Sequence, residues 1–257
     1  VRDRDRLELA MRGIDTVVHA AALKVVPIAE YNPTECISTN IHGAENVVKA
    51  ALRCGVKKVI GLSTDKAVNP INLYGASKLA AEKIFIAANS LSAGSCAFSV
   101  VRYGNVVGSR GSVIPLFKKL ADGDYQLPVT HEDMTRFWIT MDQAIDLVLN
   151  TERHMMGREI VIPKIPSMKV IDLAKAMDTN NRGIIITGIR PGEKLHECLL
   201  TEDEARDGFD AGDVYFITPA GAKTRRTPRW HALPEGFRYT SDGNTEWLTV
   251  EQLRAMI

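Results

Sequence analysis

Three short apolar runs mark the first hundred residues: Asp15–Ala22 (DTVVHAAA), Lys58–Leu62 and Ala97–Val101. Their length and apolar character predict strands buried on both faces of a parallel sheet. Stretches with helical spacing lie between them. Pro33 opens one that runs through Ile41, Val47, Val48, Ala51 and Leu52 to Cys54, with Gly55 as its stop. Tyr74, Lys78, Ala81 and Phe85 mark another, from Tyr74 to about Ala93. A short helix capped by Asp5 runs through Arg12 and ends at Gly13. Strand, helix, strand, helix, strand at this rhythm predicts right-handed βαβ units. Beyond Gly111 the pattern loosens. Helices are expected over Val113–Ala121, Asp142–Asn150 and Val170–Met177, and short strands at Arg136–Thr140, Glu159–Ile162 and Ile184–Thr187. From Thr201 onward charge mixes with Gly and Pro, which predicts surface structure, before a last helix at Val250–Met256.

The fold class expected is α/β: a Rossmann-like parallel sheet over residues 1–112 with a smaller α/β lobe over 113–257, some segments of which return to the sheet. A dinucleotide fold should open on a strand and a glycine-rich turn. The first sixty residues hold only Gly13, Gly43 and Gly55, and none makes that fingerprint. The chain also starts at Val1 in a charged run to Arg6, as if in mid-domain. Either the fold is a different one, or its first strand, helix and second strand are missing. Such a loss would bare a sheet edge, an association hazard, and would leave the isolated chain inactive.

The 257 residues suffice for a sizeable core, and a hydrophobic share of 45% with 25% charged is ordinary for a soluble domain. A net charge of +1 suggests no nucleic-acid or anionic-membrane partner. No apolar run approaches membrane-spanning length and no signal peptide is visible. Cys36, Cys54, Cys96 and Cys198 lack metal-type spacing, as do the six histidines. Free thiols in a reducing cytoplasm and no metal are the expectation.

The chemistry concentrates in Ser63–Lys78, STDKAVNPINLYGASK. A polar triplet, Thr64, Asp65 and Lys66, follows an apolar strand, where active sites of open α/β sheets lie. Pro70 bars regular helix across the next turn. Tyr74 and Lys78, four residues apart, share one helix face, and a lysine ammonium beside a phenol favours phenolate, an acid/base pair near neutral pH. Tyr-x-x-x-Lys alone is equally compatible with an exposed helix pair; its place after the strand and its company add the specificity.

DTVVHAAA, STDK, YGASK, RYGNVVGSRGS, MTRFWIT and IRPGEKLHE together resemble the extended short-chain dehydrogenase/reductase superfamily. Within it they are most similar to the UDP-N-acetylglucosamine 4,6-dehydratases that invert C5, the first enzymes of pseudaminic acid biosynthesis, which serves flagellin glycosylation. Tyr74 favours this branch over larger membrane-anchored relatives that carry methionine there. Val25 stands where the family has histidine. The resemblance implies bound NADP as transient redox partner: C4 is oxidised, water is eliminated across C5 and C6, and C6 is then reduced while C5 is reprotonated from the other face. It implies Tyr74 as base for the 4-hydroxyl, tuned by Lys78, Lys66 as the C5 base, Asp65 as the acid for the C6 hydroxyl, and Thr64 on the 4-oxygen. NADP would contact Ala20, Ala21, Ala22, Lys24, Tyr74, Lys78, Val106, Val107, Gly108, Ser109 and Arg110. The UDP-sugar would contact Lys24, Asn105, Val113, Thr135, Arg136, Arg190 and Glu193, the arginines on its diphosphate. The bland alternatives are a solvated Asp65–Lys66 turn, surface ion pairs for the arginines, and plain turns at Gly104, Gly108 and Gly111. A homo-oligomer is expected by the same resemblance. A UDP-sugar 4-epimerase, which needs Tyr74 and Lys78 but not Asp65 and Lys66, and a non-catalytic nucleotide-sugar-binding fragment remain as other readings.

Overall fold

The computed structural model describes residues 1–109, 111–123, 125–218 and 230–257. Helix α1 (Arg4–Ala10) precedes β1 (Thr16–His19). Helices α2 (Val26–Tyr31) and α3 (Pro33–Ile37), a π-helical turn at Ser38–His42 and α4 (Gly43–Cys54) lead to β2 (Lys58–Thr64). A 3-10 turn (Asp65–Ala67) and α5 (Leu73–Leu91) lead to β3 (Ala97–Tyr103) and β4 (Asn105–Val106). There follow α6 (Val113–Ala121), β5 (Leu127–Val129), β6 (Thr135–Ile139), α7 (Met141–His154), β7 (Ile160–Pro163), β8 (Ser167–Lys169), α8 (Val170–Met177) and β9 (Ile184–Ile186). The chain continues through β10 (Cys198–Leu200), α9 (Glu202–Ala205), β11 (Gly208–Asp210), β12 (Val214–Ile217), β13 (His231–Ala232), β14 (Tyr239–Thr240) and α10 (Val250–Met256).

Among the described residues the main sheet runs β1-β2-β3-β7-β12-β11-β13. The first four strands are mutually parallel, and β12 joins β7 antiparallel. Alternation along β2 sorts its side chains: Val59 packs with the α4 and α5 residues Val47, Ala81 and Phe85, whereas Ile60 packs with Leu147 of α7. Helices therefore cover both faces, as a buried parallel sheet requires. Strand β6 is buried at every position. Its Phe137 and Ile139 belong to the main core, and Trp138 belongs to a second core with Phe117, Leu173 and Leu253. No helix among the described residues is long and apolar enough to cross a membrane.

The α/β rhythm expected from the sequence is present, with local corrections. Asp3, not Asp5, caps α1, accepting from the Arg6 amide. The first strand stops at His19 rather than Ala22, because the small residues beyond it bend into a loop. The long helix from Pro33 is interrupted by the π turn, which turns Asn40 into the protein: its amide exchanges hydrogen bonds with both Leu23 backbone groups and reaches Ser77 at 2.8 Å. Helix α2, opened by Pro27, was not expected. Some of the lobe was expected to return to the sheet, but the segment after Thr201 was read as surface structure, whereas Phe216 and Ile217 of β12 there are buried against β7.

A buried ionic knot ties the sheet to its surroundings. Arg102 on β3, 0% exposed, forks onto Glu82 of α5 at 2.6 and 3.0 Å, onto Glu204 of α9 at 3.0 and 3.1 Å, and onto the Leu199 carbonyl at 3.0 Å. Removing the cation strands two largely desolvated carboxylates. Arg102→Met is expected to cost about 3–5 kcal/mol, read as a lower urea midpoint at unchanged slope. A loss below about 0.5 kcal/mol, the size typical of a surface change, would show that the knot carries no stability.

Candidate active site

The carboxyl ends of β1, β2 and β3 open into a cleft of about 620 Å³. Strand β2 delivers Thr64 to its rim, and the 3-10 turn that follows brings Asp65 inward and Lys66 across. The opposite wall comes from β6 and residues 190–197. Asn72 joins the two walls: its side chain caps α5 by accepting from the Gly75 amide at 2.8 Å and donates to the Gly192 carbonyl at 2.8 Å. Tyr74 and Lys78 then project from the first turns of α5 into the cleft. The Asn40 amide holds the loop after β1, which carries Lys24, and through Ser77 it reaches the Tyr74 carbonyl.

Thr64 Oγ1 donates to Asp65 Oδ1 at 2.9 Å and accepts from the Lys66 amide at 3.3 Å. Lys66 Nζ lies 3.0 Å from Asp65 Oδ1 and 3.3 Å from Glu197 Oε1. Asp65 is 0% exposed and Glu197 2%, while the Lys66 side chain keeps 28% of its surface toward the cleft. Arg136 Nε is 3.7 Å from Glu197 Oε1, and Lys194 Nζ is 3.8 Å from Glu197 Oε2.

These contacts set the charges. Burial pushes the Asp65 carboxyl up, and the Glu197 charge adds to that against the pull of Lys66. Burial also acts to raise Glu197, but Lys66, Arg136 and Lys194 outweigh it and hold this carboxyl below its ordinary value. Burial opposes the charge on Lys66, yet Asp65 and Glu197 together hold the ammonium well above the usual lysine range. Tyr74 is pushed up to about 12 by burial, which the Lys66 charge and a Thr64 hydrogen bond only partly offset. Lys78 is lowered to about 8 by burial, with its ammonium donating to the Leu62 carbonyl at 2.5 Å. The sequence expectation of a phenolate set by Lys78 is thus corrected: Lys66 is the cation acting on the phenol, and burial wins.

Of the residues singled out in the sequence, Ala20, Ala22, Lys24, Thr64, Lys66, Tyr74, Lys78, Asn105, Val106, Ser109, Arg136, Arg190 and Glu193 line the cleft, with Asp65 directly behind Lys66. Val25, at the position of the family histidine, lines it too. Ala21, Val107 and Gly108 are not among the lining residues, and Arg110 lies outside the described residues. Val113 packs against the second core instead. Thr135 is buried with its hydroxyl committed to His196 Nδ1 at 2.8 Å and Ser241 Oγ at 2.6 Å. Arg136 is partly engaged, donating to the Thr135 and Leu195 carbonyls at 2.7 and 3.1 Å. Arg190 stands at the mouth with its side chain 70% exposed, 3.6 Å from Glu193. Glu197 and Lys194 escaped the sequence reading. Both sit within PGEKLHE, but nothing in their spacing shows that the chain folds back onto Lys66. Among the described residues no cluster of His, Cys, Asp or Glu is arranged to hold a metal.

A family model described as polysaccharide biosynthesis protein matches residues 1–219. The chain is 50% identical over 268 residues to the inverting UDP-N-acetylglucosamine 4,6-dehydratase of Campylobacter jejuni subsp. jejuni strain 81-176, covering 100% of this chain and 80% of that protein. It is 45% identical over 269 residues to the UDP-glucose 4-epimerase of Rickettsia conorii, covering 100% and 77%. The X-ray structure of Pen from Bacillus thuringiensis superposes with a TM-score of 0.91 at 38% identity, covering 100% of this chain and 79% of that one. DesIV, a dTDP-glucose 4,6-dehydratase of Streptomyces venezuelae solved with NAD and TYD bound, gives a TM-score of 0.67 at 20% identity over 76% and 67% of the two chains, a likeness of fold.

The depressed Lys78 has a measurable consequence. The folded chain disfavours its charge below pH 8, whereas an unfolded lysine keeps its proton to about 10.5. The penalty is therefore full below pH 8 and fades as pH rises through 10.5. Lys78→Met is expected to exceed the parent in stability by about 1–3 kcal/mol at pH 7, with the gap closing between pH 8 and 10.5. A gap independent of pH in denaturant titrations would show that Lys78 is not held at depressed affinity for its proton.

Proposed function

The chain belongs to the polysaccharide biosynthesis protein family, and from that premise we propose that it converts UDP-N-acetylglucosamine to a UDP-4-keto-6-deoxy sugar with inversion at C5. The observation that carries the reading is the convergence of Thr64, Asp65, Lys66, Tyr74 and Lys78 on one cleft. Sugar redox chemistry at C4 needs a hydroxyl base and its tuning cation. Elimination across C5 and C6 needs a second acid and a second base, and the buried pair behind Thr64 supplies two such groups.

The cofactor we read for the cleft is NADP. A nicotinamide dinucleotide suits the residues present: small Ala20 and Ala22, Val106 and Ser109, and a lysine at Lys78 that faces the cleft. Bound there, it supplies the redox capacity that oxidises C4 transiently and is restored within the same turnover. Tyr74 receives the 4-hydroxyl proton as phenolate, having first shed the proton it holds at rest, and Thr64 hydrogen-bonds the 4-oxygen. In elimination the C5–H bond breaks and its proton passes to the Lys66 amine, which must first have shed the proton it holds at rest. The bonding pair forms the C5–C6 double bond, and the C6 oxygen leaves as water with the proton of Asp65. The raised Asp65 suits an acid, since it keeps its proton where an ordinary carboxyl would not. Exposed Arg190 with Glu193 and Lys194 at the mouth suits a UDP diphosphate and ribose. Likeness to the inverting relative supports extending the reading to pseudaminic acid biosynthesis.

The second reading is a UDP-sugar 4-epimerase, favoured by the Rickettsia relatives. It uses Tyr74 and Lys78 and leaves Asp65 and Lys66 idle. Proton NMR of UDP-N-acetylglucosamine with the protein and NADP+ in heavy water separates the two. A 6-deoxy methyl signal with loss of the C5 proton is expected, and Asp65→Asn or Lys66→Met should slow it by about 10²-fold or more. Exchange of configuration at C4 with no methyl signal would sink the dehydratase reading, as would full activity in both variants. Parallel titrations with NAD+ test the choice of NADP.

A further inference from the structure

Glu197 meets three cations in the cleft, and the chemistry above leaves it without a task. It arrives from a distant part of the chain, and its backbone is fixed on both sides: its amide donates to Ser241 Oγ at 2.9 Å and its carbonyl accepts from the Ser241 amide at 2.8 Å. Its Oε1 faces Lys66 at 3.3 Å and Arg136 at 3.7 Å, and its Oε2 faces Lys194 at 3.8 Å. Oε2 is buried with no hydrogen-bond partner, as is Asp65 Oδ2 on the other side of Lys66. A buried, rigidly mounted carboxylate with one acceptor oxygen unfilled is costly to stability. Such a cost is characteristic of functional sites.

We propose that Glu197 is the positioning residue for Lys66, a fixed carboxylate that holds the Lys66 amine at the reacting face of the cleft and links it to Arg136 on the substrate wall. The inference rests on the dehydratase reading. Lysine is a flexible four-carbon stem, and Asp65, its sequence neighbour, holds the tip at 3.0 Å from the sheet side alone. Glu197 grips the tip from the opposite wall, so Lys66 is aimed only when both walls are in place. The titratable groups around the pair are Asp65 from the 3-10 turn, the Tyr74 phenol from α5, Arg136 from β6, Lys194 from the segment of Glu197 itself, and Glu193 beyond Arg136. Of these, only Asp65 and Glu197 raise the proton affinity of Lys66. Glu197 therefore sets both where the base sits and how strongly it keeps its proton before the sugar arrives.

The test compares the parent with Glu197→Gln and Glu197→Asp. One measurement is independent of turnover: titration of the Lys66 side chain by NMR in lysine-labelled protein, with the resonance assigned through Lys66→Arg. Glu197→Gln is expected to lower the Lys66 midpoint by at least about one pH unit, and Glu197→Asp, which keeps the charge, to hold it near the parent. The other is the kinetics of C5 deuterium exchange and methyl formation. Glu197→Gln should lower kcat about tenfold or more with KM within about threefold, with the ascending limb of the pH profile moved to lower pH, and Glu197→Asp should recover part of the rate. A purely structural role predicts instead a falling melting temperature with an unmoved Lys66 midpoint, and that result overturns the proposal. So does an unchanged kcat in Glu197→Gln. If Glu197→Gln does not fold, Glu197→Asp decides: a kcat lowered at unchanged KM supports positioning, and a parental kcat overturns it. A parent that binds NADP+ and UDP-N-acetylglucosamine yet makes no methyl product, while its Lys66 midpoint still depends on Glu197, sinks the dehydratase reading and supports the clamp. An active parent with an independent midpoint does the reverse.

Discussion

The close approach of the first turn of α5 to the Asp65–Ala67 turn is the constraint on which the cleft depends. Gly75 makes it possible, since a Cβ there would overlap the Lys66 carbonyl oxygen. The contact fixes the height of α5 against the end of β2, and with it the depth at which Tyr74 and Lys78 enter. Asn72 then uses one side chain for two tasks, capping the helix and holding the Gly192 carbonyl of the opposite wall. Local folding of sixteen consecutive residues, Ser63–Lys78, thereby places five reactive groups, and the Asn72–Gly192 bond, the Lys66–Glu197 ion pair and the bond from Lys194 to the Val68 carbonyl register them against the lobe. Under this geometry a change at position 75 moves the Lys66 carbonyl, Tyr74 and Lys78 together.

Desolvation, more than any single ion pair, decides the protonation states. Tyr74 and Lys78 are both buried, and burial disfavours the charged form of each, so the phenol moves up to about 12 and the ammonium down to about 8. The resting pair is a phenol beside a weakly held lysine proton. Lys66 shows the opposite result under the same burial, because two carboxylates stand within 3.3 Å of its nitrogen. The difference between the two lysines is thus one of partners, since both pay the cost of leaving water.

What could be read in the sequence was whatever is local. The βαβ rhythm, the helices at Val113–Ala121, Val170–Met177 and Val250–Met256, and the grouping of Thr64, Asp65, Lys66, Tyr74 and Lys78 all follow from spacings shorter than one strand–helix unit. The misses come from contacts that no spacing encodes. The π turn that carries Asn40 to Leu23 and Ser77 is an irregularity within an otherwise helical pattern. The β12 strand lies in the stretch expected to be surface structure, and its place beside β7 depends on a long return of the chain. Thr135 sits in a motif beside Arg136, and only its partners His196 and Ser241 show that its hydroxyl is already in use. The order of the Lys66 and Asp65 shifts was equally closed to sequence, because Glu197 fixes it from 131 positions away (197 − 66).

The two buried carboxylates that flank Lys66 carry the last step. Asp65 and Glu197 are equally removed from water, share the same ammonium, and differ in what else they meet. Asp65 has one cation and a threonine hydroxyl, so burial prevails and its proton affinity is raised. Glu197 has three cations within 3.8 Å, so attraction prevails and it stays ionised. Separated proton affinities in adjacent carboxyls are how one site holds an acid and a counter-charge at the same pH. The asymmetry needs Arg136 and Lys194, which come from the lobe and not from the parallel sheet. The raised affinity of Asp65 beside a lowered Glu197 is therefore a property of both walls: the sheet provides one carboxyl and the lysine, and the lobe brings the second carboxyl with the cations that set the two apart.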